Sequence, residues 1–326
     1  MELFLIILFM LIGLVLIIKG GDWFVDAAAW MAEVSGIPKL IVGATVVSFA
    51  TTMPELLVSV FAASKGNVDV SIGNAVGSVT ANTGLIMALS LIFIPSVIKR
   101  KDYLFKSVMM LAAGALLFAL SFTGEMKMIP SLLLLVLFFV FMWDNLKNAL
   151  DTMKKNKEAG ITDSKQKQTG STVAKNIVKF IIGIAAIVIG ARLLVDNGTL
   201  LAQMLGVSDR IIAVTIIAIG TSLPELVTTV TAIIKKQSEL SVGNIIGANI
   251  IDITLILPVS ALVSGGSLTA ESRASVLVDM PVMIFTGAVA LIPSLITKKF
   301  SRWQGILLLV LYLAYSVLTC TGVLSF

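Results

Sequence analysis

Apolar runs about as long as a bilayer is thick recur along the chain from end to end. A helix needs about 20 mostly apolar residues to span a membrane. Ten stretches approach or exceed that measure: 3–18, 38–63, 70–96, 104–122, 128–147, 176–195, 209–234, 240–264, 273–292 and 301–322. The runs are continuous and rich in Leu, Ile, Val and Ala, whereas a transmembrane barrel shows short alternating segments. The pattern predicts an all-α integral membrane protein with ten transmembrane helices. The first run has no basic leader and no clear cleavage site, so it reads as a retained span and not a signal peptide. A single long polar stretch, "NALDTMKKNKEAGITDSKQKQTGSTVAK" at 148–175, predicts a flexible loop. It joins a first half, residues 1–147, to a second half, residues 176–326, with five spans in each.

The polar positions inside the runs repeat between the halves. "VGATVVSFATTMPELLVSV" at 42–60 aligns with "IAVTIIAIGTSLPELVTTV" at 212–230, and "SIGNAVGSVTAN" at 71–82 with "SVGNIIGANIID" at 241–252. The offset is 170 residues throughout. It matches Thr51 with Thr221, Pro54 with Pro224, Glu55 with Glu225, Asn74 with Asn244 and Asp26 with Asp196. An odd number of spans per half makes the second copy enter the membrane from the opposite side. Two inverted five-helix repeats are the plan of many secondary transporters, whose sites lie near the bilayer midplane where the repeats meet.

Each repeat carries a break and a charge in the same place. Proline has no backbone N–H, and its ring clashes with the carbonyl one turn earlier. Pro54 and Pro224, with the adjacent threonines and Ala50 or Gly220, predict broken second and seventh helices. Irregular backbone at membrane depth persists only where protein or a polar cavity satisfies it. Glu55 and Glu225 lie beside the carbonyls that these breaks free. An ionisable group at the bilayer centre costs about 2.5–3.5 kcal/mol on insertion scales, so two related carboxylates imply a bound cation that offsets the cost. Asn82 and Asp252 lie eight residues after Asn74 and Asn244, two helical turns on, and share a face with them.

Composition and charge narrow the class. Of 326 residues, 57% are hydrophobic and 13% charged, with mean hydropathy +1.02. Soluble domains carry about 25% charged residues. A cytoplasmic 148–175 loop places 19 of the 24 Lys and Arg residues on the inner side and leaves only Lys65, Lys127, Arg192, Arg210 and Arg273 outside. The positive-inside rule therefore predicts a multi-pass protein of the cell membrane with both termini outside. The net charge of +5 reflects this bias and calls for no nucleic-acid partner; the lipid bilayer is the implied partner, and no obligatory protein partner is evident. The chain has no histidine and one cysteine, Cys320, which exclude His-based relays and intrachain disulfides. No catalytic constellation appears, so an enzyme is not expected, nor is a cofactor.

Carboxylate, amide, hydroxyl and carbonyl oxygens suit a hard cation. Calcium takes six to eight oxygens. Two bidentate glutamates, Glu55 and Glu225, with the carbonyls of Thr51 and Thr221, supply six. Magnesium, which keeps its waters in a small octahedron, fits less well.

"FATTMPE" and "IGTSLPE", each followed by "GNxxG", resemble the two α-repeats of the cation/calcium antiporter superfamily, and most its prokaryotic sodium/calcium exchanger branch. The resemblance covers both halves. It implies an antiporter that moves Ca²⁺ against Na⁺ by alternating access, with its first and sixth spans sliding against the rest. It also implies a calcium site at Glu55, Glu225, Thr51 and Thr221, and a middle site at Asn82 and Asp252. Flanking sodium sites map to Ser48, Thr52, Ser78, Ala218 and Ser222. The Asn/Asp pair resembles potassium-independent exchangers. Three positions depart: Ala248 and Thr52 stand where serine is usual, and Ala50 replaces a glycine. The first two map to one outer sodium site, which leaves Ca²⁺/H⁺ antiport as the alternative. A cation channel is disfavoured, because channels build filters by subunit symmetry. Asn74 and Asn244 are open between interhelical brace and ligand. Asp22, Asp26 and Asp196 read as caps or water-facing groups near span ends.

Overall fold

Backbone polar groups find no partners in lipid, so a chain with these apolar runs folds into helices that satisfy their own hydrogen bonds. The computed structural model describes residues 2–95, 100–158, 170–205, 220, 222–269 and 275–321. Its helices are α1 (Glu2–Ser35), α2 (Lys39–Val42), α3 (Ser48–Thr51), α4 (Met53–Ser64), α5 (Val68–Ala81), α6 (Ala88–Phe93) and α7 (Arg100–Ser121). They continue as α8 (Met128–Glu158), α9 (Gly170–Met204), α10 (Leu223–Ile234), α11 (Ser238–Ile251), α12 (Leu257–Val263), α13 (Met280–Thr297) and α14 (Arg302–Cys320). Four π-helical turns lie at Gly43–Val47, Asn82–Met87, Asp252–Ile256 and Ser275–Asp279. Two three-residue strands, β1 (Glu125–Lys127) and β2 (Ser267–Thr269), pair antiparallel with Met126 opposite Leu268.

Among the described residues eight helices are long and apolar enough to cross a membrane. The bent pair Lys39–Thr51 and Met53–Ser64 makes a ninth span, with a 45° break. The expected span 209–234 is described only at 220 and 222–234, so its first half lies outside the described residues. Helices also run further than hydropathy indicates. α1 continues well past residue 18, α8 extends to Glu158 and α9 begins at Gly170, so helix occupies both ends of the stretch expected to be a loop. Residues 159–169 of that stretch lie outside the described residues.

The chain forms two compact units. The first comprises Met1–Thr51 and Asp144–Asn244, the second Thr52–Trp143 and Ile245–Phe326. In the first, α1 and α9 pack along their length through glycine. A Cβ on Gly13 would sit 2.8 Å from the Gly190 carbonyl oxygen, and one on Gly20 2.8 Å from that of Gly183. Small residues let membrane helices approach this closely. Further on, Phe24 stacks at 4.6 Å on Phe180. Numbers rise on α1 as they fall on α9, so the two helices are antiparallel. Gly13 and Gly183, like Gly20 and Gly190, are 170 apart, so the two glycine contacts exchange under the repeat. Charged positions on the extended part of α1 find a partner: Lys235 contacts Asp26 at 2.7 Å and Asp22 at 3.2 Å. These aspartates lie within α1, not at a span end. Phe24, Val25, Ala28, Val42, Val47, Ile187 and Leu240 form the core of this unit.

In the second unit α14 packs on α6, where a Cβ on Gly305 would sit 2.6 Å from the Ala88 carbonyl oxygen. The start of α14 is held by a capping box between Ser301 and Gln304, and the Gln304 amide also donates to Ser294 Oγ on α13 at 2.8 Å. α4 packs on α5 and α12, and α7 on α13. Large apolar side chains such as Phe4 and Trp143, each 68% exposed, point outward over many helices. A surface of this kind is suited to lipid.

Candidate functional site

The second unit holds Glu55, Thr52, Ser78, Asn82 and Asp252. α3 stops at Thr51 and α4 starts at Met53, with Pro54 in its first turn. The carbonyls at the end of α3, Thr51 among them, lie past the last turn of its ladder, and Pro54 lacks the N–H that would meet the Ala50 carbonyl. Glu55 follows at once, in the turn where the helix dipole favours negative charge, and is 1% exposed. Asn82 and Asp252, at equivalent repeat positions, each open a π turn. Such turns widen the hydrogen-bond ladder and are frequent at functional sites; no hydropathy signal announces them. Asp252 is fully buried, and its turn packs on α4 and α5. The Asn82 Oδ1 atom is buried without a hydrogen-bond partner among the described residues, an acceptor suited to a cation or water. Thr52 and Ser78 are buried as well.

The first unit holds Glu225, Thr51, Ser48 and Ser222. Glu225 sits in the first turn of α10 behind Pro224, 1% exposed, and repeats the arrangement at Glu55. Gly220 packs against Val195, where a Cβ would overlap the valine side chain. The Ser48 hydroxyl donates to the Thr45 carbonyl at 3.1 Å, and the Thr51 hydroxyl to the Ser48 carbonyl at 3.2 Å. Ser222 is buried. Thr221 and Ala218 lie outside the described residues.

Asn74 and Asn244 both act as braces between helices. Asn74 donates to Ser59 Oγ at 2.9 Å and to the Glu55 carbonyl at 3.2 Å. Asn244 donates to Thr228 Oγ1 at 3.1 Å. Among the described residues no group of three or more Asp, Glu, His or Cys side chains forms a metal cage.

Three polar groups escaped the motif reading. Asn249 is fully buried and donates to Thr83 Oγ1 at 2.9 Å. Lys106 is 2% exposed within α7. Asp279 accepts a hydrogen bond from Tyr315 at 2.8 Å. Lys106 and Asp279 are visible in the sequence as charges inside apolar runs; Asn249 has no repeat counterpart, since Val79 stands at the equivalent position.

A family model described as "Sodium/calcium exchanger protein" matches residues 5–146 and 175–321. The sodium/calcium exchanger MaX1 of Methanosarcina acetivorans is 30% identical, over 95% of this chain and 97% of its own. An uncharacterized membrane protein of Methanocaldococcus jannaschii is 32% identical, over 94% and 95%. Among solved structures, the sodium-calcium exchanger NCX_Mj soaked with Na⁺ and Ca²⁺ superposes with a TM-score of 0.82. It is 31% identical, over 95% of this chain and 97% of that one. The matched segments contain both copies of the Pro-Glu motif: the chain belongs to the sodium/calcium exchanger family, as its paired motifs implied.

Proposed function

We propose that the protein is a secondary-active antiporter that exchanges Ca²⁺ for Na⁺ by alternating access. The observation that carries this reading is the pair of Pro-Glu motifs, 170 residues apart, each with a glutamate 1% exposed in the first turn of a helix that opens on the proline. Glu55 and Glu225 bind either cation, so occupancy by one excludes the other, and that competition is the basis of exchange. The Thr51 and Thr221 carbonyls complete the calcium shell. Asn82 and Asp252 form the middle site, and Ser48, Thr52, Ser78, Ala218 and Ser222 line the sodium sites. An empty carrier holding three ionised carboxylates is costly to reorient, which couples the two fluxes.

The repeats, 1–147 and 176–326, are inverted and contribute five helices each. Both termini lie outside and 148–175 lies in the cytoplasm. Cysteines at positions 65 and 235, in a Cys320→Ala background, report this topology through an impermeant thiol reagent in intact cells. Position 65 labels from outside and position 235 does not; labelling of both from one side removes the inverted repeat. The ion pairs of Lys235 are 23–53% exposed, and pairs of that kind contribute little to stability, so the variant folds.

Proteoliposome uptake of ⁴⁵Ca²⁺ under an imposed Na⁺ or H⁺ gradient tests the counter-ion. The second reading, Ca²⁺/H⁺ antiport, draws on Ala248, which is fully buried where the family has serine. A neutral oxygen contact is worth about 0.5–1.5 kcal/mol, which is a roughly 2–10-fold shift. Ala248→Ser is expected to lower the external Na⁺ for half-maximal exchange by that factor and to leave sodium-free calcium affinity nearly unchanged. An unmoved sodium dependence removes residue 248 from the sodium site. Calcium flux that follows the pH gradient and ignores Na⁺ makes H⁺ the counter-ion.

A further inference from the structure

A directed hydrogen-bond chain runs through the first unit from one candidate ligand to another. The Thr51 hydroxyl lies 3.3 Å from Asn244 Oδ1 and shares its one hydrogen between that oxygen and the Ser48 carbonyl. The Asn244 amide nitrogen donates to Thr228 Oγ1 at 3.1 Å. The Thr228 hydroxyl in turn donates to the Glu225 carbonyl at 3.0 Å. None of the four residues is more than 2% exposed. Thr51 belongs to the first repeat; Thr228, Asn244 and Glu225 belong to the second. A side-chain amide carries its acceptor and its donors on different atoms, so Asn244 can meet Thr51 with one and Thr228 with the other.

From this geometry we infer that Asn244 is a positioning residue for ion binding. It acts through Thr51 and Glu225 and is not itself a ligand. The inference rests on the assignment of the Thr51 carbonyl and the Glu225 carboxylate as calcium ligands. Thr51 ends α3 at the break, so the helical ladder does not fix the direction of its carbonyl. A tether on its side chain does. At the other end, the chain fixes the first turn of α10, which carries Glu225. The end of α3 and the start of α10, one from each repeat, are thus held in register by one amide. The first repeat cannot build the same chain, because Val58 stands at the position equivalent to Thr228. There Asn74 reaches the Glu55 carbonyl directly. The two asparagines occupy equivalent places in the repeat and brace their glutamates by different routes.

Equilibrium binding of ⁴⁵Ca²⁺ to the purified full-length protein in sodium-free detergent buffer tests this. Thr228→Val, Asn244→Leu, the double variant and Glu225→Gln are compared, each with a thermal melt. Thr228→Val changes one hydroxyl into a methyl of the same shape. It is expected to raise the calcium Kd by about 2–10-fold, the weight of one neutral hydrogen bond, with little change in melting temperature. Asn244→Leu raises it at least as much, and the double variant no further, because both act on one chain. Flux at saturating calcium is retained in Thr228→Val, which separates positioning from general loss of structure. Wild-type calcium affinity in folded Thr228→Val and Asn244→Leu, or a fully additive double variant, overturns the inference. Where Asn244→Leu does not fold, Thr228→Val decides alone. If Glu225→Gln also binds calcium normally, the ligand assignment has failed; if Glu225→Gln loses binding while the other variants keep it, only the chain has failed.

Discussion

Glu55→Gln and Glu225→Gln are each expected to abolish calcium exchange and to leave a folded protein. Both carboxylates are 1% exposed, in the first turn of a helix and directly after a proline. Glutamine keeps the shape of the side chain but removes its charge and one of the two carboxylate oxygens. Removing one partner of a buried charge pair costs about 3–5 kcal/mol, equivalent to a loss of calcium affinity of two to three powers of ten or more. The same substitution relieves the burial of a charge in the empty protein, so melting temperature should hold or rise. That opposition, stability kept while transport is lost, separates a ligand from a structural glutamate. It is read from ⁴⁵Ca²⁺ uptake beside a thermal melt of the same preparation. Near-wild-type gradient-driven flux in either variant refutes the site assignment.

The second large effect is structural. Gly43 and Gly243 face one another where the segment from α2 into its π turn crosses α11. A Cβ on Gly43 would overlap the Leu240 carbonyl, and one on Gly243 the Leu40 carbonyl. In both cases the obstructing atom is backbone, which cannot swing aside as a flexible side chain does. Gly243→Val therefore forces the two helices apart, with destabilisation of the order of 3 kcal/mol. It also displaces the neighbouring Asn244. Reduced yield of monodisperse protein and a clearly lowered melting temperature are expected. Gly243→Val that melts with the wild type would show that this crossing does not contribute to stability.

These two sites differ in how far the sequence announced them. The break at Thr52, the burial of Glu55 and the burial of Glu225 follow from local chemistry: a proline without an N–H and a carboxylate in an apolar run. Their spacing of 170 residues made them recognisable as a pair. That Asn82 and Asp252 share a face with Asn74 and Asn244 was legible from the spacing, but the π turns they open were not, because an extra residue in the ladder leaves no periodic trace. Gly243 stands in the repeated GNxxG motif, but its partner Leu40, some 200 positions away, could not be read from the motif. The same limit applies to Asn74 and Asn244, whose composition fits ligand and brace equally until Ser59 and Thr228 are placed beside them. Hydropathy ended the first span at residue 18, since Lys19, Gly20, Gly21 and Asp22 read as polar or helix-breaking. The helix persists to Ser35 because Gly20 packs on α9, Gly21 lies against Thr231 and Asp22 meets Lys235. Tertiary partners, not propensity, set that boundary.

Release of ⁴⁵Ca²⁺ from preloaded proteoliposomes, into media that differ only in the external cation, tests antiport through a shared site most directly. Saturable release into Na⁺, release into unlabelled Ca²⁺ by self-exchange, and almost none into choline are expected. Glu225→Gln is expected to lose the first two. Release into choline at a rate comparable to that into Na⁺ would contradict antiport, because calcium would then leave without a counter-ion, as through a channel.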